Sequence, residues 1–398
     1  MTPLIKRLIV REFDPKKDRT GVEEIERRCS VGKLSILTDL MGDPICRIRH
    51  SPAFLMLVAE MEICKRKESE EDENYEKEIV GMIRGSIKTV TRGKKPQYTK
   101  LASILGLRVS PSHRRMRIGL KLVEKIEEWF RENGAEYSYI ATEIDNHPSV
   151  KLFTEKCNYS KFRTPSILVQ PVFAHSARIS NRITIIKIGP SDAESLYRRR
   201  FSTTEFFPKD IDAVLNNKQS LGTFVAVPRG GSWPGSDHFL DNPPESWAVM
   251  SIWNCQFQLE VHGVSRVNKG LVRMTRIVDR VFPWLRVPSV PELFKPFGVH
   301  FLYGIGGEGP LAVKFVKGLC GLAHNLAMNR GGGGGVVVTE VAACEPLKKG
   351  IPHWKRLSCA EDLWCLKRLE KDNGDGAVVG DWTISPPGMS IFVDPREV

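Results

Sequence analysis

The sequence predicts an α/β fold arranged as two successive units, each of them a β-sheet with helices on both faces. Three observations carry this prediction. Short β-rich runs alternate with amphipathic runs along most of the chain, which is typical of a sheet covered by helices. The order of strand, turn and helix found at the N-terminus starts again after about residue 181. The chain has 398 residues, 41% of them hydrophobic, which is enough for two ordinary cores.

The first unit is predicted to span residues 5–175. Its long amphipathic helix ends at the cap Gly134, and a second helix carries Pro148 in its first turn. A charged run between the second and third strands is expected to be a solvated hairpin insert. The predicted strands and helices, in chain order, are "LIVREF", "GVEEIERRC", "AFLMLVAEM", "EIVGMIRGSIKTV", "KLASILGLRVS", "GLKLVEKIEEWFRENG", "YSYIAT", "HPSVKLFTEKCN" and the closing strand "YSKFRTPSILV".

The second unit, residues 181–398, repeats this order. "RITIIKIGPSDAESLYRRRF" predicts a strand, a turn and a helix, and "SLGTFVAVP" and "SWAVMSIWNC" an antiparallel pair. A strand, a glycine turn and a helix follow, and the glycine run 331–335 is expected to be a flexible connection to the next strand. That strand ends in Thr-Glu at Glu340, as the corresponding strand of the first unit does at Glu143. These matches favour a diverged tandem duplication of one α/β unit.

The composition limits the partners, the cysteine chemistry and the cellular location that we expect. The net charge of +12 and the pI of about 9.2 indicate an anionic partner such as nucleic acid, an acidic surface or a phosphorylated ligand, or else only a solvated basic surface. Nine cysteines are scattered singly with no C-x-x-C pair, which favours reduced thiols and gives no metal-binding pattern. With no apolar leader and no run of about 18 apolar residues, we expect a soluble protein of the nucleus or cytoplasm with no membrane partner.

The stretch "RVSPSHRRMRIGLKLV" is the strongest candidate binding site in the sequence. A predicted strand leads into a basic loop, and the following helix opens with unpaired N–H groups at the positive end of its dipole. Arg114, Arg115 and Arg117 add charge, and Gly119 lets the backbone approach a ligand closely. The pattern suits a diphosphate, and the alternative is a basic helix start on the surface with no ligand.

This loop also carries a family resemblance. Residues 114–119, "RRMRIG", resemble the R/Q-x-x-G-x-G/A pyrophosphate loop of the GCN5-related N-acetyltransferases, or GNAT proteins. Residues 146–159 are similar to the N-x-x-A-x-x-x-Y-x-x-x-G-F segment that follows in that fold. Over its whole length the chain resembles the plant HOOKLESS-type branch of this family. The stretches that carry this resemblance are "VGKLSILTDLMGDPICRIRHSP", "FSTTEFFPKDID", "YGIGGEGP" and "SIFVDPREV".

The resemblance implies a GNAT-type mixed sheet flanked by helices, followed by a second, diverged GNAT-like α/β half, with acetyl-CoA as the co-substrate. In such folds the backbone of a splayed strand binds the pantetheine arm, and one of its N–H groups can stabilise the thioester oxyanion. The basic loop holds the diphosphate, and an asparagine touches the pantetheine. The implied cofactor-binding residues are Leu107, Arg108, Val109, Arg114, Arg115, Met116, Arg117, Ile118, Gly119 and Asn146.

Two positions depart from the family pattern. Arg117 replaces the first motif glycine, so its side chain is expected to point away from the ligand. Phe153 stands where many relatives have the tyrosine that protonates the departing thiolate, and phenylalanine has no proton to give. Either nearby charge stabilises the thiolate, or Tyr159 or a water supplies the proton, or the chain binds acetyl-CoA and turns over poorly.

For the general base we nominate Glu143, because ligands collect at strand ends in open α/β sheets. The alternative is a carboxylate that caps the helix of "DNHPS" or pairs with a nearby Arg or Lys.

Two further motifs have alternative interpretations. "YGIGGEGP" contains G-x-G-x-x-G and permits a dinucleotide site, although Glu308 would oppose the diphosphate; a degenerate acetyl-CoA loop is the other interpretation. "RVNKGLVRMTRIVDRVF" predicts a basic amphipathic helix, either facing an anionic partner or simply solvated over a core.

Two functions from different classes follow. The first is an acetyl-CoA-dependent N-acetyltransferase acting on a protein amine, with histone lysine or another nuclear protein as candidates. The resemblance implies a role in plant hormone-responsive differential growth such as apical hook formation. The second is a non-catalytic acetyl-CoA-binding or protein-interaction regulator. A homo-oligomer and direct nucleic-acid binding both stay open.

Overall fold

The computed structural model describes residues 6–29, 36–37, 43–65, 74–93, 97–261, 266–289, 297–330, 335–359, 361–369 and 381–398. The strands are β1 (Lys6–Glu12), β2 (Ile36–Leu37), β3 (Ala53–Lys65), β4 (Asn74–Thr91), β5 (Tyr98–Val109), β6 (Tyr137–Glu143), β7 (Ser160–Arg163), β8 (Ser166–Pro171), β9 (Ile183–Ile188), β10 (Ser220–Pro228), β11 (Trp247–Val261), β12 (Phe297–Glu308), β13 (Gly335–Val341) and β14 (Asp362–Arg368). The α-helices are α1 (Arg19–Arg28), α2 (Ile118–Glu132), α3 (His147–Lys151), α4 (Pro190–Phe201), α5 (Ile211–Leu215), α6 (Ser236–Asp241), α7 (Arg266–Val281) and α8 (Ala312–Arg330).

The first sheet has the strand order β1-β3-β4-β5-β6-β14-β7, and its one parallel pair is β5 with β6 among the described strands. Helices α1 and α2 cover opposite faces of this sheet. Ile126 of α2 packs in the same core as Ile83 of β4, whereas Val22 of α1 packs with the neighbouring Met82. Because successive strand residues point to opposite faces, the prediction of helices on both faces is confirmed.

The second sheet has the order β8-β13-β12-β11-β10-β9, and β2 adds to it by pairing with β11. Read from the other edge, β9 to β13 repeat the order of β1, β3, β4, β5 and β6, including a parallel pair between the last two strands. Helix α8 follows β12 as α2 follows β5. The two units therefore share one topology, as a tandem duplication predicts.

A bulge at the same place in both sheets strengthens this correspondence. In the first sheet Gly106 and Leu107 stand opposite the single residue Ile83, and in the second Gly304 and Ile305 occupy the matching two-against-one position on β12. Gly106 and Gly304 both have φ of 59°, a left-handed conformation that glycine adopts without a Cβ penalty.

The sheets exchange their closing strands. "YSKFRTPSILV" was expected to be one strand, and this expectation is wrong: β7 joins the first sheet, whereas β8 pairs with β13 in the second. Conversely, β14 from the C-terminal part of the chain lies between β6 and β7. Backbone N–H and C=O groups at these edges need partners, and each unit supplies them to the other. The predicted boundary between residues 175 and 181 therefore does not separate the two sheets. β8 lies before it in the chain but belongs to the second sheet, and β14 lies after it but belongs to the first.

An aromatic core and buried ion pairs join the two units. The ring of Phe206 lies 4.9 Å from the rings of both Trp364 and Trp382, measured between centroids. Near the C-terminus, Lys88 donates to Glu397 across 2.6 Å, with both side chains largely buried. These contacts join segments far apart in sequence, so the two units share one core and stabilise each other.

Other sequence predictions have mixed outcomes. The antiparallel pair β10 and β11 and the basic helix, now α7, are confirmed. Most of the charged hairpin insert, residues 66–73, and the glycine connection 331–334 lie outside the described residues. Within the described part of the chain, every helix is too short or too polar to cross a bilayer.

The strand exchange predicts that the first unit does not fold alone. A chain ending at residue 178 lacks β14, which leaves the edges of β6 and β7 unpaired and exposes the aromatic core. We expect aggregation or a loss of cooperative thermal unfolding, measured by size-exclusion chromatography and circular dichroism. Co-expression with residues 179–398 should restore a soluble complex, and a soluble, cooperatively folded 1–178 fragment would contradict the prediction.

Candidate functional site

The first sheet opens into a gap between β5 and β6. The two strands pair only over Leu101–Ile104 of β5, and the last pair is Ile104 with Ile140 of β6. Both strands continue beyond this pair, β5 to Val109 and β6 to Glu143. The bulge at Gly106 turns β5 away from its neighbour. Beyond this point the facing backbone edges do not pair with each other, so they can bind an extended ligand that carries amide groups.

Packing makes the bulge specific for glycine. A Cβ on Gly106 would lie 2.5 Å from a terminal nitrogen of Arg84, whose guanidinium donates to Glu26 across 2.6 Å in the buried interior. Substitution would therefore both strain φ and displace a buried ion pair.

The basic loop leads from the end of β5 to the start of α2. The N–H of Lys121 makes the first helical bond, to the carbonyl of Arg117 at 3.1 Å, which leaves the preceding three amides at the helix start without intrahelical partners. Arg114, Arg115 and Arg117 are exposed, and no carboxylate of the described chain lies within ion-pair distance of them. The loop thus combines free amides, the helix dipole and unpaired cations, which suits a diphosphate.

Arg117 occupies its position in a glycine-like conformation. It is the N-cap of α2 with φ of 59°, and Arg115 has φ of 65°. Non-glycine residues adopt this region at a cost of roughly 1 kcal/mol or more. The exposed Arg117 side chain points into solvent while the backbone follows the path that a glycine would take.

Gly119 lies over the floor of the gap. A Cβ placed on it would meet Val109 at 3.6 Å, Leu107 at 4.0 Å and Leu152 at 3.5 Å, which are ordinary contacts. The structure therefore brings the last motif residue, Gly119, and the end of β5 together. Ile118 is buried in the core beneath, and Met116 is exposed in the loop.

Arg108 and Asn146, both predicted to bind the cofactor, lie in different environments. The Arg108 side chain donates to the carbonyl of Leu107 across 3.1 Å, burial together with Arg47 and Arg84 lowers its pKa, and its backbone is paired with Met82 of β4. Asn146 lies at the end of β6, where its oxygen accepts from the Ser149 amide at 3.4 Å as the cap of α3.

Tyr159 is not at the gap. It is buried against α2, its hydroxyl donates to Ser138 across 2.9 Å, and burial raises its pKa well above the usual value. Ser138 lies in the paired part of β5 and β6. Phe153 packs edge-on against the Tyr159 ring at 5.3 Å, so both aromatic residues belong to the core behind the helix. Tyr159 is therefore enclosed in the core and does not face the gap, contrary to its prediction as a catalytic residue.

Glu143 ends β6 in an exposed position. Asn146, and not Glu143, caps α3, and no hydrogen bond or ion pair of the Glu143 carboxylate occurs within the described residues. Its cross-strand partner on β14 is Asp362, and directly opposed residues point to the same face. The strand exchange thus creates a carboxylate pair beside the gap.

The pair has an unusual electrostatic environment. Burial, with the charge of Glu143 adding to it, raises the pKa of Asp362 to about 7. Glu340 of β13 lies close by, where it accepts from the Trp364 indole at 2.9 Å, and burial and Asp362 raise its pKa to about 8. A carboxylate with a pKa near 7 is suited to accept a proton at neutral pH.

Sequence reasoning missed Asp362. It opens the run "DLWCLKR", which has strand character, but nothing local shows that this strand inserts beside β6.

The second unit lacks a comparable loop. β12 ends at Glu308 and α8 starts at Ala312, whereas the matching connection in the first unit runs from Val109 to Ile118. The glycines of "YGIGGEGP" serve packing: Gly304 forms the bulge inside β12, and a Cβ on Gly309 would lie 1.9 Å from a backbone oxygen. Because the first glycines lie within the strand and not at the helix start, the geometry does not support the dinucleotide interpretation.

Comparisons with known proteins identify the family of the chain. The profile of the acetyltransferase (GNAT) family matches residues 65–159. The chain is 64% identical over 414 aligned residues to "Probable N-acetyltransferase HLS1" of Arabidopsis thaliana, covering 98% of this chain and 99% of the relative. It is 61% identical to "Probable N-acetyltransferase HLS1-like" of the same plant, over 100% of both chains.

A solved structure with a similar fold is Saccharomyces cerevisiae N-myristoyltransferase with bound myristoyl-CoA. Its TM-score is 0.52 at 12% sequence identity, over 92% of this chain and 80% of that one. The likeness concerns the fold, since identity is low, and it extends across both units. With the GNAT profile over the gap and whole-length relatives at 64% and 61% identity, the chain belongs to the acetyltransferase (GNAT) family and is an N-acetyltransferase of the group that includes these plant relatives.

Proposed function

We propose that the protein transfers the acetyl group of acetyl-CoA to an amine of another protein. The gap between β5 and β6, with the basic loop at its end, is the observation that carries this proposal. Unpaired strand edges suit the two amides of pantetheine, and the amides and arginines at the start of α2 suit the diphosphate. The solved N-myristoyltransferase of similar fold holds an acyl-CoA, which supports the same class of co-substrate here.

In this proposal the end of β5 both binds and polarises the thioester. N–H groups near Leu107 and Val109 bind the pantetheine arm, and one of them stabilises the oxyanion as the amine attacks the carbonyl carbon. A new C–N bond forms and the C–S bond breaks. The Glu143 and Asp362 pair takes the proton of the amine, directly or through water, and water returns a proton to the thiolate.

The acidic pair also supports an amine as the acceptor. Protein amines are cationic at neutral pH, and the carboxylates at this strand end favour their approach. Histone lysine is a candidate acceptor, and the resemblance of the sequence to the plant HOOKLESS-type branch supports a role in hormone-responsive differential growth, including ethylene and auxin responses and the apical hook. Nucleus and cytoplasm are the compartments in which such acceptors occur.

A non-catalytic acetyl-CoA-binding regulator is the second candidate. The observation that favours it is the core position of Phe153 and Tyr159, which leaves the usual proton donor of the family unreplaced. Calorimetry with acetyl-CoA, combined with release of free CoA on histone and peptide amines, separates the two. Binding with no release on any amine would favour the regulator.

The loop geometry predicts opposite effects for two of its residues. Arg117→Gly should leave acetyl-CoA affinity unchanged or tighter and add about 1 kcal/mol to the free energy of unfolding, because the left-handed conformation no longer costs strain. Gly119→Glu should weaken binding by more than a hundredfold, since unit charges of the same sign 4 Å apart repel by about 4 kcal/mol in this environment. Calorimetry and thermal unfolding provide the measurements.

Gly119→Ala is the matched control for Gly119→Glu, because its methyl group makes only ordinary contacts. A loss of binding in Arg117→Gly would show instead that the guanidinium contacts the diphosphate.

The raised pKa of Asp362 predicts the pH dependence of transfer. The base must be unprotonated, so the rate should rise with pH through about 7 and then level off. Asp362→Asn should remove this titration and lower transfer by about 10² to 10⁴ fold without changing acetyl-CoA affinity. Steady-state rates with one peptide amine between pH 5.5 and 9 test this expectation.

Two variants complete the experiment. Glu143→Gln should keep affinity, lower transfer and move the midpoint to lower pH, because its charge helps to raise the pKa of Asp362. Glu361→Gln, the exposed neighbour on the chain, should change nothing. A full pH titration in Asp362→Asn would exclude Asp362 as the base.

A further inference from the structure

A cavity of about 240 Å³ lies in the second unit, on the face of its sheet that α8 covers. Leu168, Leu302 and Val337, from the three adjacent strands β8, β12 and β13, form its floor, and Cys320 and His324 of α8 form one wall. Among the described residues that line it, none belongs to the gap between β5 and β6. The cavity is therefore separate from the proposed transferase site.

The segment 172–178 covers the cavity and is held by side chains of α8. The N–H of Phe173 donates to His324 Nε2 across 2.8 Å, and Asn325 bonds both backbone groups of Ala177, accepting at 2.7 Å and donating at 3.1 Å. Burial lowers the pKa of His324, which keeps the ring neutral and able to accept this bond. The cover is thus fixed above the space.

Helix α7 anchors the same segment from the other side. Asp279 accepts from the N–H of Ala174 at 2.8 Å and from the ring of His175 at 2.6 Å, both inside the fold. Arg276 donates to the carbonyl of Val172 across 2.7 Å. Five backbone groups of this segment and the rings of two histidines are therefore hydrogen-bonded by residues that surround the cavity without filling it.

Packed protein interiors contain few voids larger than one water molecule. A space of this size, at about 30 Å³ per water, holds on the order of eight non-hydrogen atoms of a small ligand. The surrounding core, including Phe315, Leu319 and Ala323 of α8, is fully buried. The cavity therefore does not reflect loose packing throughout the unit.

The charged side chains that line the cavity itself have one sign, since Asp279 lies behind His175 and does not line it. Arg178, Arg286 and Lys317 line it, and no carboxylate of the described chain does. None of the three cations forms an ion pair with a described residue. Arg178 and Lys317 are exposed and mark the mouth, whereas the strand side chains at the floor are apolar. An anionic head group at the mouth and an apolar body on the floor would match this distribution.

We propose that this cavity binds a small amphiphilic anion, with an apolar body of about eight carbons and a single carboxylate or phosphate head. The body packs on the floor formed by β8, β12 and β13, and the head pairs with the cations at the mouth. The proposal does not depend on the proposed transferase function, because the two sites lie in different sheets.

Octanoate is the probe that tests the proposal, with octan-1-ol and octylamine as neutral and cationic controls of the same length and hexyl phosphate as the phosphate arm. We expect one octanoate per full-length chain by calorimetry, with octan-1-ol at least about tenfold weaker and no measurable octylamine binding. Tighter binding of hexyl phosphate than of octanoate would assign a phosphate head, and the reverse a carboxylate.

Single variants locate the bound anion. Lys317→Gln and Arg286→Gln should each weaken octanoate by about tenfold, because each removes a charged partner of the head. Lys314→Gln is the matched control, since Lys314 is an exposed lysine of the same helix that does not line the cavity. Gly321→Leu should abolish binding by filling the space below the cover, and its thermal midpoint checks that it folds.

Gly119→Glu, in the other sheet, should leave octanoate binding unchanged. The proposal fails if octanoate does not bind at millimolar concentration, if octylamine binds as tightly, or if Lys314→Gln and Lys317→Gln have equal effects. Loss of octanoate in Gly119→Glu would also overturn it, because the anion would then occupy the gap.

Discussion

The early end of the parallel pairing between β5 and β6 is the constraint on which the site depends. Parallel neighbours normally satisfy each other's backbone groups along their shared length, and here they stop at Ile104 and Ile140. The left-handed glycine at Gly106 produces the two-against-one bulge that turns β5 outward, and the buried Arg84 leaves no room for a Cβ there. The same bend directs the end of β5 toward the basic loop. One backbone distortion therefore positions both the free strand edges and the cationic start of α2.

The second constraint is the exchange of strands between the sheets. Because β14 completes the first sheet, Asp362 comes to lie opposite Glu143, and burial at the junction of the units moves its pKa toward neutrality. Because β8 completes the second sheet, the segment that follows it runs directly over the cavity of that unit. The repeated bulge at Gly304 shows that the bend of the strand does not by itself produce a basic loop. The second unit kept the bend and has a short, arginine-free connection in place of the loop.

Patterns of short range predicted much of this architecture. The alternation of strands and amphipathic helices, the start of α2 after a basic loop and the repeat of one unit all follow from the spacing of apolar residues and glycines, which depends on neighbours within a few residues. The backbone conformation of the loop was harder to predict from the sequence. Arg117 was expected to turn its side chain outward, which it does, but the left-handed backbone at both Arg115 and Arg117 results from how the loop joins a bent strand to a helix.

The sequence by itself determined the family, the basic loop between β5 and α2 and the duplicated order of elements, because each of these depends on patterns within contiguous segments. The tertiary structure alone decided which strand pairs with which at the sheet edges, because strands far apart in sequence are brought together by packing and backbone hydrogen bonds across the whole fold. It also decided that Tyr159 lies in the core and that Asp362 joins Glu143. These placements depend on contacts between residues far apart in the chain, and only the folded protein brings them together.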